Sequence, residues 1–287
     1  MAARLHSRFI AGTTIEDALR VAENLNRQGI AVTLDSLGES VTSEAEARKA
    51  AEVYDDLLGA IAARNLDATV SLKLTQMGLK IGIDQSADLA ESITGHLAER
   101  ASTFGAFVRV DMEDSRLTGI TLDVVRRIHA RAPTCGAIGA VIQAYLYRSQ
   151  ADVAQLLAEG IRIRLCKGAY DETPEVACPR KAEVDQNYLK LSRLLLDSSA
   201  FHALATHDPA MINAAKAYAA SRGIGRDHFE FQMLYGVRRD LQQSLVREGY
   251  KVRVYVPFGT AWYPYFMRRL AERPANVLFL ARNLFRA

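Results

Sequence analysis

The chain of 287 residues lacks several features that would assign it to a specialised class of protein. No apolar run approaches the roughly 20 residues that span a bilayer, and the first residues contain no apolar core of a signal peptide. The formal charge is only +3, and no basic stretch interleaved with aromatic residues argues for nucleic acid. Cys135, Cys166 and Cys178 are odd in number and lack the spacing of a zinc site. These absences predict a soluble protein of a reduced, cytoplasmic compartment.

Several catalytic signatures are missing as well. No GxGxxG motif follows a predicted strand, which disfavours the usual dinucleotide-binding fold. The 6 histidines form no HxH or HExxH pair, so we expect no metal and disfavour a metal-dependent barrel hydrolase. No GxSxG motif marks an activated serine. The chemistry of this chain must therefore depend on other side chains.

The sequence does contain a strict alternation of predicted strands and helices. A helix from Thr14 to Gln28 precedes eight strand–helix units, of which the first begins at Ile30 and the last at Lys251. This pattern predicts an α/β fold, a (β/α)₈ TIM-like barrel that occupies residues 1–287 as one domain. A doubly wound open sheet shares the same alternation and is the alternative.

Two local predictions concern helix starts. Ser43 opens a long helix that runs to about Arg64, and Glu46 completes a capping box with it. The third strand is predicted over FVRVDMEDS, and the helix after it is predicted to begin at about Thr121.

Polar and apolar residues alternate within most strands, so that polar side chains share one face. The polar set comprises Ser71, Lys73, Thr75, Arg109, Asp111, Glu113, Gln143, Tyr145, Arg162, Arg164, Cys166, Glu230, Gln232, Arg253 and Tyr255. Because the apolar face must meet the surrounding helices, we predict that this set points into the barrel. Buried charges need partners, so the interior is either a structural ion network or a ligand site near the strand C-termini.

After the eighth strand, a predicted helix carries Tyr265, Arg268, Arg269 and Glu272 on one face. Two adjacent guanidinium groups suit a small carboxylate, which a planar fork binds in bidentate fashion. The alternative is a solvated helix face with Arg268 and Glu272 as an ordinary i,i+4 pair. Placed across the barrel mouth, this C-terminal helix would instead cover a substrate pocket.

The residues alone indicate a protein that acts on or binds a small anionic metabolite. Lys73 and Lys167 could each form a Schiff base, so a class I aldolase-like barrel lyase is one candidate. A non-catalytic barrel that binds carboxylates is another.

Seven segments, one at each strand from the second to the eighth, resemble the motifs of bacterial proline dehydrogenases. They are SLKLTQMG, VRVDMEDS, QAYLYR, RLCKGAY, ATHD, FEFQMLYG and VYVPFG, and WYPYFMRRLAERPAN follows them. DSLGE at the first strand fits the same family.

This resemblance implies a distorted (β/α)₈ barrel that holds FAD at its C-terminal face. It implies oxidation of L-proline to Δ¹-pyrroline-5-carboxylate by hydride transfer to flavin N5, the first step of proline degradation to glutamate. Electrons would pass to a membrane quinone, which is compatible with a peripheral position at the inner face of the cell membrane. We also expect a separate pyrroline-5-carboxylate dehydrogenase and allow for a homo-oligomer.

The resemblance also implies roles for individual residues, with Asp111, Arg164 and Tyr255 as the catalytic set. Arg164 would lie beside flavin N5, and Gln143 would hydrogen-bond the isoalloxazine edge. The other residues at the cofactor would be Met112, Lys167, Gly168, Ala169, Thr206 and His207. The substrate would be held by Lys73, Tyr265, Arg268 and Arg269, with Glu39 pairing with Arg268 as a gate. Three alternatives remain open: Lys167 could contact flavin only through its backbone, Asp111 could support Arg268 or Tyr255, and His207 could be a satisfied loop histidine.

Overall fold

A computed structural model of the protein describes residues 8–38, 40–81 and 86–263, together with residues 265 and 267. Eight parallel strands close into a barrel in sequential order, and the eighth strand pairs with the first. The strands are β1 (Ala31–Ser36), β2 (Ala68–Leu72), β3 (Val108–Val110), β4 (Ile138–Gln143), β5 (Arg162–Cys166), β6 (His202–Ala205), β7 (Phe229–Leu234) and β8 (Lys251–Phe258). The predicted (β/α)₈ barrel is confirmed. The alternative of an open sheet is wrong, because Ala31 to Ser36 are in register with Arg253 to Phe258.

Helices surround this barrel. Those within the described ranges are α1 (Ile15–Asn26), α2 (Glu44–Ala63), α3 (Ser86–Thr103), α4 (Ser115–His129), α5 (Ser149–Ala158), α6 (Lys181–Leu196), α7 (Pro209–Ser221) and α8 (Arg239–Arg247). In this part of the chain, no helix combines the length and the apolar character that crossing a membrane requires. The helix predicted after β8 lies largely outside the described residues.

The starts of α1 and α2 show how local side chains fix the helix bounds. The Ser43 hydroxyl accepts the Glu46 N–H, as predicted, but the Glu46 carboxylate accepts from the N–H and hydroxyl of Thr42 instead of from Ser43. The reciprocal capping box occurs at α1, between Thr14 and Asp17. The predicted box at Ser43 is therefore half correct, since Glu46 reaches one residue further back than expected.

The region after β3 differs from the prediction. The strand ends at Val110, and α4 begins at Ser115, six residues earlier than Thr121. The cause is Asp114, whose side chain accepts the Arg116 N–H and caps the helix. The DMED segment therefore forms a connection at the barrel mouth instead of extending the strand.

The main hydrophobic core lies between the barrel and its helices. Alternate strand residues that face outward, such as Val32, Leu34, Val70 and Leu72, are buried in this core. Their neighbours on the same strands bond to each other across the barrel, as the contacts of Arg164 with Ser71 show. The prediction of an outward apolar and an inward polar set is confirmed for these residues, whereas Cys166 of the predicted polar set packs against the main core.

Ion pairs and carbonyl contacts fill the half of the interior near the strand N-termini. Arg253 Nε lies 3.0 Å from Glu230 Oε1, and Arg253 Nη2 lies 3.2 Å from Asp67 Oδ1. Arg109 Nη1 donates to the carbonyl oxygen of Arg162 at 2.6 Å. Arg253 is thus paired with two carboxylates, whereas Arg109 is satisfied by backbone carbonyls. The Arg253 pairs match the predicted structural ion network.

Gly139 on β4 makes room for this network. A Cβ atom at this position would lie 2.3 Å from the Arg162 carbonyl oxygen and 2.8 Å from Arg109 Nη1. We expect Gly139→Ala to lower the free energy of unfolding by about 2 kcal/mol, since the strand and the guanidinium must both shift. Urea unfolding followed by circular dichroism measures this change.

Gly59 in α2 is the matched control for that substitution. A Cβ atom there would meet no atom within 4 Å. Gly59→Ala should raise the free energy of unfolding by about 0.5 to 1 kcal/mol, because alanine favours the helix. Equal effects of the two substitutions would contradict the steric role of Gly139.

Candidate active site

Arg164 on β5 lies in the middle of the barrel, and the residue is 6% exposed. Its Nε donates to Gln232 Oε1 at 2.5 Å, and its Nη1 donates to Asp111 Oδ1 at 2.7 Å and to Ser71 Oγ at 3.2 Å. Its Nη2 lies 3.5 Å from Thr33 Oγ1. Contacts from β1, β2, β7 and the end of β3 therefore hold one guanidinium group in place.

Asp111, directly after β3, connects this arginine to β8. Besides Arg164, its carboxylate accepts from Ser71 Oγ and from the Tyr255 hydroxyl, each at 2.7 Å. The Tyr255 ring also lies 5.3 Å from the guanidinium carbon of Arg164. Burial and the carboxylates of Asp111 and Asp35 raise the pKa of Tyr255 well above its usual value, so the hydroxyl remains a donor. The three residues predicted as the catalytic set are thus in direct contact.

Lys73 lies just beyond β2 and faces Asp35 of β1. Its Nζ is 3.4 Å from Asp35 Oδ1, and the two residues are 8% and 1% exposed. Burial alone lowers the pKa of Lys73, but the carboxylates of Asp35 and Asp111 outweigh it, so the net pKa is raised. Burial also raises the pKa of Asp35, and the Lys73 ammonium is the strongest interaction that opposes this rise. Lys73 is therefore a cation at neutral pH.

Gln143, at the end of β4, has its carboxamide orientation fixed by the backbone. Its Nε2 donates to the Glu113 carbonyl at 2.9 Å, and its Oε1 accepts the Ala169 N–H at 3.4 Å. The Glu113 carboxylate is itself held by Thr75, through the N–H at 3.1 Å and the hydroxyl at 2.6 Å. Burial raises the pKa of Glu113, although the two hydrogen bonds from Thr75 act to lower it. Among the described residues, Gln143 Nε2 has no second acceptor, so its other N–H is available to a ligand.

The segment after β5 passes close to an aromatic ring. Gly168 has a φ of +122°, and a Cβ atom there would lie 2.4 Å from Tyr145 Cδ1. The Tyr145 N–H also donates to the Lys167 carbonyl at 2.9 Å. Only glycine combines this backbone conformation with such a close approach.

The Lys167 side chain is engaged by the protein itself. Its Nζ lies 2.5 Å from Asp185 Oδ1 and 2.8 Å from Asp208 Oδ2, and Lys181 also contacts Asp185. Asp208 in addition caps α7 through the Ala210 N–H. This arrangement supports the alternative in which Lys167 meets a ligand through its backbone.

The loop after β6 carries two more of the predicted cofactor residues. Thr206 donates its N–H to the Gln232 carbonyl, and its hydroxyl accepts the Asp208 N–H, both at 3.1 Å. His207 Nε2 accepts the Leu234 N–H at 2.8 Å. This contact supports the alternative in which His207 is a loop histidine satisfied by the protein itself. Met112 is buried in the main hydrophobic core and is not part of the polar network.

Of the other residues predicted for the substrate site, the structure describes Tyr265. Tyr265 is 7% exposed and belongs to a small cluster with Phe9, Ile10 and Leu37. It is thereby placed next to the end of β1. Arg268, Arg269, Glu272 and Glu39 lie outside the described residues, so their predicted roles stay predictions.

Sequence reasoning missed Asp35 as a site residue. The signal was present, because Thr33 and Asp35 alternate with Val32 and Leu34 in β1. Applying the same parity rule to the first strand would have placed this carboxylate inside the barrel.

Comparison with known proteins identifies the family. The family model "Proline dehydrogenase" matches residues 18–282. Proline dehydrogenase 1 of Bacillus subtilis subsp. natto is 42% identical over 279 residues, which cover 97% of this chain and 90% of that protein. Proline dehydrogenase of Deinococcus radiodurans is 42% identical over 285 residues, which cover 98% and 90%.

A solved structure agrees with these relatives. Proline utilization A (PutA) from Bdellovibrio bacteriovorus, inactivated by N-propargylglycine, superimposes with a TM-score of 0.88 at 28% identity. The match covers 93% of this chain and 32% of that much longer chain. Together with the motifs in register at seven strands, these matches show that the chain belongs to the proline dehydrogenase family.

Proposed function

We propose that this protein oxidises L-proline to Δ¹-pyrroline-5-carboxylate with FAD as hydride acceptor and passes the electrons to a quinone. The observation that carries the proposal is the pair of buried cations, Lys73 and Arg164, that carboxylates hold at one barrel mouth. The names of the relatives supply the substrate, and the resemblance supplies the cofactor.

Lys73 would bind the proline carboxylate. Its ammonium is charged and buried, and a charge-assisted hydrogen bond in such a site is strong. By resemblance, Arg268 and Arg269 would also bind the proline carboxylate, and Tyr265 would shape the pocket. Glu39 would pair with Arg268 as a gate. Several cations around one carboxylate orient a very small substrate for reaction.

The residues around β4, β5 and β6 fit a flavin. Gln143 would offer its second carboxamide N–H, and the backbone at Gly168, which packs on Tyr145 and carries no side chain, would contact the ring together with Lys167 and Ala169. Arg164 would contribute a guanidinium group whose position is already fixed. Met112, Thr206 and His207 would complete the cofactor site through contacts that the resemblance implies. When bound, FAD would supply a hydride acceptor at N5.

The protein's own groups then act by charge and position. Arg164 would hold a cation beside the bound cofactor, where it would stabilise the negative charge that the cofactor gains on reduction and so lower the barrier electrostatically. Asp111 holds that guanidinium and accepts the Tyr255 hydroxyl proton in a hydrogen bond, which fixes both groups before substrate arrives. Asp111 therefore acts on the reaction through its two partners.

A Schiff-base lyase has less support. Its lysine must be neutral to attack a carbonyl, whereas the carboxylates around Lys73 raise the pKa of that lysine. The Lys167 ammonium lies between two carboxylates. Lys73 is thus held as a cation, and the Lys167 side chain is already engaged by two carboxylates of the protein.

We expect the purified protein to bind FAD and to lose its yellow colour when L-proline is added without oxygen. Visible absorption measures this bleaching, and D-proline serves as the control substrate. Failure to take up flavin under any reconstitution condition would contradict the proposal. Borohydride trapping of an imine on Lys73 or Lys167 would favour the lyase. Proline binding without turnover, even with a quinone present, would indicate a binding protein.

A further inference from the structure

We propose that Asp35 is a positioning residue that anchors Lys73 for capture of the substrate carboxylate. This inference rests on the proposed function and assigns a role to a residue on the first strand. Asp35 itself lies behind the lysine and would not touch the substrate.

The fold brings the two residues together. Asp35 is in register with Ser71 on the neighbouring strand, and Lys73 follows Ser71 by two positions on the same face. The carboxylate is the more deeply buried partner, at 1% exposure against 8% for the lysine. The contact between them, at 3.4 Å, directs a flexible side chain that could otherwise adopt many rotamers.

The ammonium group retains capacity for a ligand. A lysine has three N–H donors, and Asp35 takes one of them. Across residues 8–38, 40–81 and 86–263, no second hydrogen-bond partner of Lys73 Nζ is found. Two donors therefore remain for a carboxylate.

Asp35 also keeps the lysine charged. The groups that act on Lys73 are Asp35, Asp111, Tyr170 and Glu113, and Asp35 has the largest effect among them. Those that act on Asp35, besides Lys73 and Asp111, include the Tyr255 hydroxyl. Burial lowers the pKa of Lys73, and the Asp35 charge opposes this effect. When the Asp35 charge is removed, the pKa of Lys73 therefore falls. A lysine that loses its proton as pH rises no longer attracts a carboxylate.

The test is the pH dependence of the proline KM in Asp35→Asn. The ratio of the variant KM to the wild-type KM cancels the titration of proline itself. We expect this ratio to be small at pH 6.5 and to reach about tenfold at pH 9, because a charged partner has been lost. The kcat at saturating proline should change less than the KM. A ratio that does not vary with pH would overturn the proposal.

Two further variants separate positioning from folding. In Asp35→Asn/Lys73→Arg, the guanidinium stays charged at every pH used, so the rise of the KM ratio between pH 6.5 and 9 should disappear. Glu91→Gln removes another buried carboxylate, which is 9% exposed and binds Arg127 and Arg131 outside the barrel. It should lower stability and leave the KM ratio flat. If the KM ratio of Glu91→Gln also varied with pH, the effect seen in Asp35→Asn would be a consequence of lower stability. That result would overturn the assignment of Asp35 as a positioning residue.

A measurement without flavin or turnover distinguishes this inference from the proposed function. Competitive labelling with acetic anhydride, read at Lys73 by mass spectrometry, reports when that amine becomes neutral. Lys73 should react at lower pH in Asp35→Asn than in the wild type. The same labelling profile in both proteins would refute the role of Asp35, whereas a wild type that does not oxidise proline would refute the proposed function alone.

Discussion

Arg164→Ala is expected to slow the reduction of bound flavin by proline by roughly 10² to 10³-fold, the usual effect of removing one electrostatic stabiliser from an active site. The proline KM should change much less, because Lys73 and the predicted arginines, not Arg164, would bind the carboxylate. Anaerobic stopped-flow absorption at saturating proline measures the reduction rate directly, and the flavin content of each preparation is determined first.

Arg162→Ala is the matched control for that experiment. Arg162 lies on the same strand two positions earlier, and its guanidinium stacks between the rings of Phe107 and Phe201 at the other end of the barrel. Its Nε donates to the Phe201 carbonyl at 3.3 Å. We expect this variant to be less stable but to reduce flavin at the wild-type rate. If both variants lost the same fraction of activity, the role of Arg164 would be general packing.

Lys73→Met is expected to raise the proline KM by roughly 30-fold or more, the loss that follows when a buried charge partner is truncated. The substitution preserves most of the aliphatic volume and removes the ammonium. The structure also predicts a loss of about 3 to 5 kcal/mol in the free energy of unfolding, because Asp35 is left buried without its cation. Steady-state kinetics and urea unfolding measure the two effects separately.

The double variant Asp35→Asn/Lys73→Met separates binding from stability. Replacing both charges should restore most of the unfolding free energy, since no uncompensated ion remains in the interior. The KM should stay high, because the cation for the carboxylate is still missing. Recovery of proline affinity in the double variant would exclude Lys73 as a substrate ligand.

The sequence predicted the barrel because alternation and parity are local properties. Eight strand–helix units determined the fold class, and the period of two within strands identified Arg164 and Asp111 as inward residues. The start of α4 was mispredicted, because the Asp114 side chain caps the helix and makes it begin at Ser115.

The choice of partners inside the site could not be predicted in the same way. Arg164 and Asp111 are 53 residues apart in sequence, and several inward carboxylates could have paired with that arginine. Lys167 likewise pairs with Asp185 of α6 and with Asp208, the residue that caps α7. Such pairings depend on strand stagger and side-chain reach, which follow from the assembled barrel and not from any one segment.

The inward polar network has a consequence for how this barrel can change by mutation. The single side chain of Arg164 contacts side chains from β1, β2, β7 and the end of β3. A substitution at any one of these contacts therefore changes the surroundings of the residues at the others. Substitutions at inward positions should therefore be strongly epistatic, and variation there should occur as compensating pairs. Outward positions face an apolar shell where shape is the main constraint, so they can vary one at a time. The same strand thus carries two sets of residues with different evolutionary freedom.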